Sequence, residues 1–246
     1  MVKKMKSSTM TVKGIIIKET KVGEGNKIFT VLTDELGKIQ ASASGVRSYK
    51  SKLSAGCCLF GFSTFELRNG KNMYGIAAAD SIYNFYDLRT DVVKLSYASY
   101  FCELVNAVTV EQCAADILRL LLNTMYYLEK NDGYSLIKSV FELKLMTECG
   151  FMPSLNSCMG CGTRGVSRFS VEDGGVFCEN CGNGVPVSAD TINAMRYIVS
   201  SEQKKMFAFN VSAEVCRELA GLTEKYTQNF TERNLRSLTY LKNLGF

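Results

Sequence analysis

Two pairs of cysteines are the residues of this chain best suited to chemistry. Cys158 and Cys161 form one C-x2-C pair, and Cys178 and Cys181 form a second pair after sixteen intervening residues. The spacing within each pair lets two thiolates reach one ion, and the intervening stretch is long enough to fold back and bring the second pair to it. Four soft, anionic sulfurs suit a tetrahedral zinc ion with no open coordination position. The pattern therefore predicts one structural zinc site, which stabilises a fold and does not activate water.

The residues around the cysteines support a metal site, although two other interpretations stay open at this point. Gly162 and Gly182 each follow the second cysteine of a pair, where a glycine allows a tight turn that points backbone N–H groups at sulfur. The alternatives are a buried or redox-active cysteine pair and a rubredoxin-like iron site. The other six cysteines are scattered, and we interpret them as reduced residues in or near the core: Cys57, Cys58, Cys102, Cys113, Cys149 and Cys216.

The composition excludes several classes of function. A chain of 246 residues, 46% hydrophobic and 22% charged, can form one or two cores of an ordinary globular protein. We find no apolar run of eighteen residues and no apolar segment after the basic N-terminus, so we predict a cytoplasmic protein with neither membrane span nor secretory signal. Since the chain has no histidine, Ser–His and Cys–His nucleophile pairs are excluded. No phosphate-binding or dinucleotide-binding glycine motif is present, so we expect no enzyme.

The charge is distributed unevenly along the chain. Residues 1–86 contain 13 Lys and Arg against 6 Asp and Glu, a net charge of +7, whereas residues 87–246 contain 16 against 18, a net charge of −2. A basic first third beside a slightly acidic remainder predicts two domains with different partners. The basic domain is a candidate for binding a phosphate backbone.

The same division appears in the secondary-structure pattern. Five short strand-like segments, separated by turn signals, occupy the first eighty or so residues and predict a small closed barrel such as an OB-fold or an SH3-like barrel: residues 12–17, 28–32, 38–46, 58–67 and 73–86. From about Thr90 the apolar period becomes helical, and residues 109–112 resemble a capping box. The second helix, through Ile117 and Leu128, is apolar nearly all round and is predicted at the centre of a bundle. Helical pattern flanks the cysteines on both sides, which predicts a zinc module (residues 157–184) inserted into one helical domain.

Several ordered segments resemble one known family. They are Lys13-Gly-Ile-Ile-Ile-Lys18, Gly23-Glu-Gly-Asn-Lys27, Leu32-Thr-Asp-Glu-Leu-Gly-Lys38, the basic loop (residues 45–53, Gly-Val-Arg-Ser-Tyr-Lys-Ser-Lys-Leu), Phe141-Glu-Leu-Lys-Leu145, Gly150-Phe-Met-Pro153 and Gly174-Gly-Val-Phe-Cys178. In this order and spacing they resemble the RecO family of bacterial recombination and DNA-repair mediators, over essentially the full chain. The four cysteines match the members of that family that keep a zinc site.

The resemblance implies an α+β architecture of two domains: an N-terminal OB-fold barrel that binds DNA (residues 1–86), and a C-terminal helical domain with the zinc module (residues 87–246). It implies binding of single- and double-stranded DNA, annealing of complementary strands, partnership with RecR, and help in loading RecA onto DNA coated by the single-stranded DNA-binding protein. It implies no covalent catalysis.

The DNA-binding candidates are the cations of the first domain. The best are Arg47, Lys50 and Lys52, because they are dense, lie between predicted strands and have polar neighbours. Tyr49 in the same loop could stack on a base or simply be exposed. Phe60, Phe62 and Phe65 are expected in the barrel core. The remaining candidates are Lys13, Lys18, Lys27, Lys38, Arg68 and Lys71.

The helical domain suggests a protein-binding role. In the family, a helical-domain pocket can hold the acidic tail of the single-stranded DNA-binding protein, and basic rim residues for such a pocket could be Arg196, Lys204, Lys205 and Arg217. Two other classes remain as alternatives: a zinc-ribbon protein that binds RNA or acts in transcription, and a metal-dependent nuclease. The nuclease would need clustered carboxylates, which the sequence does not show.

Overall fold

The computed structural model describes residues 9–108, 114–231 and 234–244. The chain divides into two compact units, Met1–Leu118 and Arg119–Phe246. Within the described ranges, none of the helices combines the length and the hydropathy that a membrane crossing requires. The capping box predicted at residues 109–112 lies outside the described residues.

The first unit is built on a five-stranded closed barrel. Its strands are β1 (Thr9–Val22), β2 (Asn26–Thr33), β3 (Lys38–Ala43), β4 (Phe62–Arg68) and β5 (Tyr74–Tyr83). They close in the order β1-β2-β3-β5-β4. All neighbouring strands are antiparallel except β3 and β5, which pair in parallel at only two positions, Ala41 with Tyr74 and Ser42 with Gly75. This barrel confirms the predicted OB-type fold.

The barrel core is formed by inward-facing residues from all five strands. Val12, Phe29, Phe65 and Leu67 are buried there. In β1 the register shifts between Ile16 and Lys18. Ile16 belongs to the barrel core, whereas Ile15 and Ile17 are buried outside it, and the bulge leaves Lys18 exposed. Burial of each such side chain contributes about 1.5–3 kcal/mol relative to exposure.

The fourth strand is shorter than the sequence predicts. It begins at Phe62 and not at residue 58, because Phe60 adopts a left-handed backbone conformation with φ of 65°. The Phe60 amide donates to the Ile16 carbonyl oxygen at 3.0 Å, which ties this turn to β1. Phe60 and Phe65 are fully buried, as predicted, whereas Phe62 is only half-buried.

Two helices complete the first unit, α1 (Asp87–Thr90) and α2 (Val92–Val108). The α2 helix packs on β1 and buries Tyr97, Tyr100 and Phe101 among others. The predicted change from strand to helix after residue 90 is therefore confirmed.

In the second unit, α4 (Tyr134–Glu148) is the most buried of the described helices. The others are α3 (Ala114–Lys130, which begins in the first unit), α5 (Ala189–Ser200), α6 (Ala213–Asn229) and α7 (Arg236–Asn243). Every α4 residue from Ile137 to Met146 is buried, and α4 packs on α6 and α5. The prediction that the helix through Ile117 and Leu128 occupies the centre is wrong. That helix is α3, and its Arg119, Tyr126 and Lys130 side chains are exposed.

The segment between α4 and α5 forms a separate small module, as predicted. It contains β6 (Arg168–Ser170), β7 (Gly175–Phe177) and β8 (Val185–Pro186), arranged as an antiparallel sheet in the order β7-β6-β8. The cysteine pairs lie before β6 and after β7, so the sheet joins the two pairs.

Candidate metal centre and nucleic-acid interface

The structure brings all four predicted cysteines together. The sulfur atoms of Cys158, Cys161, Cys178 and Cys181 lie within 4.8 Å of one another, and the Cys161 and Cys178 sulfurs are 3.6 Å apart. A tetrahedral ion with Zn–S distances of about 2.3 Å requires sulfur separations of about 3.8 Å. The donor set therefore fits a closed four-thiolate metal site.

Tight turns position each cysteine pair. Gly162 has φ of 75° and donates to the Cys158 carbonyl oxygen at 2.8 Å, and Gly182 has φ of 66° and donates to the Cys178 carbonyl oxygen at 3.1 Å. These backbone conformations favour glycine, as expected from its position after each pair. In addition, the Met159 amide donates a hydrogen bond to the Val176 carbonyl oxygen at 3.0 Å, which links the first turn to β7.

The protonation of the sulfurs also favours a cation between them. Backbone N–H groups of Cys178, Cys161 and Gly160 lower the pKa of the Cys158 thiol to about 6. The neighbouring thiols, that of Cys178 first, raise the pKa of Cys181 to about 12. Four sulfurs this close cannot all ionise by themselves, whereas a divalent cation allows four thiolates.

Tyr226 of α6 anchors this module to the helices. Its hydroxyl donates to the Phe151 carbonyl oxygen at 2.9 Å, and its ring meets Phe169 of β6 edge-on at 5.8 Å. Burial raises the pKa of the Tyr226 hydroxyl to about 12. Phe230, one turn further along, stacks on Phe151 at 4.5 Å. No local sequence pattern predicts this contact, because the hydroxyl group of Tyr226 and its partner are 75 residues apart in the chain.

The basic loop lies between β3 and β4, where Arg47, Tyr49, Lys50 and Lys52 are all exposed. Tyr49 is 88% exposed, and the Lys50 ammonium lies 5.4 Å from its ring centre. This places a flat aromatic face beside one cation, on a loop that carries two more. Such a surface can bind a phosphate backbone and stack on an unpaired base.

Other predicted cations have protein partners. The Lys27 ammonium contacts Glu19 at 2.8 Å, and the Lys38 ammonium donates to the Asn106 carbonyl oxygen of α2 at 2.6 Å. Because those contacts engage the charged groups, Lys27 and Lys38 are less suited to phosphate than the residues of the basic loop.

The remaining candidates of the first unit are exposed. Lys13 and Lys18 lie on β1, Arg68 ends β4, and Lys71 is in the turn between β4 and β5. The β1–β4 register puts Lys13 opposite Thr64 and Arg68 opposite Thr9.

The proposed rim cations of the helical unit do not share one environment. Arg196 donates to the Leu155 carbonyl oxygen at 2.8 Å, while Lys204 and Lys205 are exposed. Arg217 lines a cavity of about 510 Å³ together with three carboxylates, those of Asp190, Glu214 and Glu218. That excess of negative charge does not fit an acidic peptide.

Comparison with known proteins identifies the family. The family model described as "Recombination protein O N terminal" matches residues 5–85, and the one described as "Recombination protein O C terminal" matches residues 89–239. The chain belongs to the RecO family. It is 37% identical over 239 residues to the DNA repair protein RecO of Acetivibrio thermocellus, with 94% of this chain and 95% of that protein covered.

Other RecO proteins are similar over the same extent. Those of Caldicellulosiruptor bescii and Dehalococcoides mccartyi strain CBDB1 are each 32% identical, over 235 and 239 residues. Each alignment covers 94% of this chain, and 96% and 94% of the respective relatives. The predicted resemblance to RecO is therefore confirmed along nearly the whole chain.

Proposed function

We propose that this protein binds DNA in recombinational repair and anneals complementary single strands without covalent catalysis. The observation that carries the proposal is the exposed basic loop, with Tyr49 beside Arg47, Lys50 and Lys52, on the OB-type barrel of a RecO-family chain. We assign the DNA-binding domain to residues 1–86 and the helical domain to residues 87–246, with the zinc module at about 157–184.

The chemistry of annealing suits such a surface. Two single strands repel each other through their phosphates, so a surface that neutralises both backbones without reading base edges raises the rate at which they meet. The Lys50 and Lys52 ammonium groups displace counterions from phosphates, and Tyr49 stacks on a base regardless of its identity. Lys13, Lys18, Arg68 and Lys71 extend the positive surface along the barrel.

The proposed metal is one structural zinc ion held by Cys158, Cys161, Cys178 and Cys181. When bound, it supplies charge compensation and cross-linking to a module that has little apolar core. Because all four ligands come from the protein, no position remains for a substrate. This closed donor set supports a role in folding and argues against a catalytic metal.

The proposed partners follow from family membership. They are single- and double-stranded DNA, RecR, the single-stranded DNA-binding protein and, indirectly, RecA. The location that we propose with them is the bacterial cytoplasm, with the nucleoid. Among the proposed rim cations, the exposed Lys204 and Lys205 suit an acidic peptide tail better than Arg217 does, since Arg217 shares its cavity with carboxylates.

An annealing assay tests the proposal. Two complementary labelled oligonucleotides are mixed with the wild-type protein, with an Arg47→Ala, Lys50→Ala, Lys52→Ala variant, and with a Lys204→Ala, Lys205→Ala, Arg217→Ala variant that loses the same charge from the other unit. We expect the wild-type protein and the control variant to accelerate annealing at low salt. The annealing rate with the basic-loop variant should be at least tenfold lower than with wild type. The acceleration should weaken as salt rises, because counterion release drives binding.

The outcomes separate the candidate functions. Acceleration by all three proteins would retain annealing and move the DNA surface away from the basic loop. If the zinc-loaded, folded protein accelerates nothing and binds RNA in preference to DNA, the alternative of an RNA- or transcription-associated zinc-ribbon protein replaces the proposal.

A further inference from the structure

Asn26, which carries no charge, connects the basic loop to the neighbouring turn of the barrel. It is the first residue of β2, and its side-chain oxygen accepts a hydrogen bond from the Gly45 amide at 2.9 Å. Gly25 of that turn lies close to Gly45, since a Cβ added to Gly25 would be 3.9 Å from the Gly45 Cα atom. Asn26 therefore joins the β1–β2 turn to the start of the basic loop.

Arg47 of the basic loop also bonds to the β1–β2 turn. Its amide donates to the Gly25 carbonyl oxygen at 3.1 Å, and its guanidinium donates to the Gly23 carbonyl oxygen at 3.1 Å. A guanidinium has five N–H donors. Those beyond the one that Gly23 accepts can bind a phosphate. Arg47 thus supports the loop and presents charge from it.

Two apolar residues of the basic loop also pack against the barrel core. Val46 is 5% exposed and belongs to the barrel core, and Leu53 packs against that core. Successive turn bonds run between these two anchors, from Ser48 N to Gly45 O at 3.1 Å and from Ser51 N to Ser48 O at 3.0 Å. The cations are therefore exposed on a loop whose backbone is fixed.

We infer that Asn26 is a positioning residue for DNA binding, which acts by holding the basic loop in its binding conformation. The inference rests on the proposed function. Ordering a flexible loop when DNA binds would cost free energy, and a loop that is ordered beforehand avoids that cost. Asn26 contributes no charge, so its loss changes affinity without changing the number of phosphates neutralised.

Two measurements test the inference. Fluorescence anisotropy over a salt series gives the affinity for a labelled single-stranded oligonucleotide, and hydrogen exchange reports on the order of residues 45–53. In Asn26→Ala we expect faster exchange in the basic loop and roughly three- to tenfold weaker binding. The slope of log affinity against log salt should stay as in wild type. Arg47→Lys, which keeps the charge and loses the planar fork, should behave in the same way.

Two further variants serve as references. Lys50→Ala should leave the exchange unchanged and make the salt slope shallower by about 0.7. Asn210→Ala, the same substitution at an exposed asparagine of the helical unit, should match wild type in both measurements.

The inference is overturned if the basic loop of Asn26→Ala exchanges hydrogen at the wild-type rate. It is also overturned if the loop exchanges faster but the variant binds the oligonucleotide as tightly as wild type. Either result holds even if Lys50→Ala binds more weakly. If Lys50→Ala, Arg47→Lys and Asn26→Ala all bind as tightly as wild type, the proposed DNA surface itself is in the wrong place. If Asn26→Ala does not fold, the hydrogen exchange of the basic loop and the oligonucleotide affinity of Arg47→Lys test the inference in its place.

Discussion

At the scale of single residues, the charge of Lys138 is held inside the second unit by two carboxylates. Its ammonium lies 2.9 Å from Glu142 on the same helix and 2.8 Å from Glu224 on α6. The other Glu142 oxygen accepts from the Thr223 hydroxyl at 2.7 Å, and Glu142 is fully buried. Burial acts to lower the pKa of Lys138, but Glu142 and Glu224 outweigh it and raise that pKa. The ion pair is therefore retained in the folded state.

Replacing Lys138 should be far more destabilising than replacing a surface partner of the same network. Lys138→Met leaves the Glu142 charge buried without its cation, which costs about 3–5 kcal/mol of unfolding free energy. Lys242→Met removes the exposed contact to Glu224 at 2.5 Å and should cost at most about 1 kcal/mol. Urea unfolding monitored by circular dichroism measures both values. Equal costs for the two variants would contradict the account.

The residue scale also shows what the sequence could predict. The clustering of the four cysteines was predicted from spacing alone, because a C-x2-C pair is a local pattern. The partners of Lys38, Tyr226 and Asn26 were missed, because each contact joins positions that lie far apart in the chain and no local pattern marks them. The charge count likewise treated Lys27 as available, although Glu19 engages it.

At the scale of elements, α5 is stabilised at both ends by charged groups from other helices. Glu218 of α6 accepts hydrogen bonds from the Ser188 amide at 3.1 Å and from the Ser188 hydroxyl at 2.6 Å, and also from the Thr191 hydroxyl. At the other end, the Lys144 ammonium of α4 donates to the Ser201 carbonyl oxygen at 2.6 Å. The carboxylate of Glu218 lies at the N-terminus of α5 and the ammonium of Lys144 at its C-terminus, where the helix dipole favours a negative and a positive charge respectively.

Glu218→Gln should weaken α5 in a pH-dependent way. Burial acts to raise the pKa of Glu218, but hydrogen bonds from Ser188 and Thr191 outweigh it and hold that pKa below its usual value of 4.5. The carboxylate's contribution is thus complete above pH 4.5 and is lost as pH falls through the lowered folded-state pKa. Wild type should exceed the variant by about 1 kcal/mol in unfolding free energy at pH 7, and the difference should narrow in acid.

Glu172→Gln, at an exposed carboxylate between β6 and β7, is the control for urea unfolding between pH 3 and 7. It should follow the wild-type curve. A difference between Glu218→Gln and wild type that is constant over this pH range would refute the assigned role of the carboxylate.

The sequence predicted most elements but not how they pair. The strand period placed five segments that overlap the observed β1 to β5, and the helical period began near α1 and α2. The small sheet of the zinc module was missed, because strands of two or three residues are too short to show a period. The turn at Phe60 was missed as well, since a non-glycine residue with positive φ gives no local signal.

At the scale of the whole molecule, each compact unit has its own means of stability. The first has a closed barrel with an apolar core. The second contains α4, its neighbouring helices and the four-cysteine module. Charge and periodicity indicated two parts divided near residue 86, and that boundary stays a prediction. The identity of the most buried helix was not predictable, because burial depends on neighbours that the sequence alone does not place.

Loss of the metal should therefore affect the second unit and spare the barrel. Cys158→Ser should reduce bound zinc from about one equivalent to less than a tenth, and should cost the module about 3 kcal/mol or more. Elemental analysis measures the metal, and hydrogen exchange should show faster exchange at residues 157–184 with unchanged protection at residues 9–83. Cys216→Ser, a thiol outside the cluster, is the control. Loss of protection throughout the barrel would contradict the independence of the two units.

The pairing of β1 with β4 affects the order in which the chain can fold during synthesis. Thr9 pairs with Arg68, so the barrel cannot close until the ribosome has released the fourth strand. The β1-β2-β3 meander, in contrast, needs only neighbouring segments and can form earlier. Once β5 has emerged, the whole barrel can fold while most helices are still untranslated. We therefore expect the nascent chain to hold a folded, positively charged barrel before most of its helical part has been synthesised.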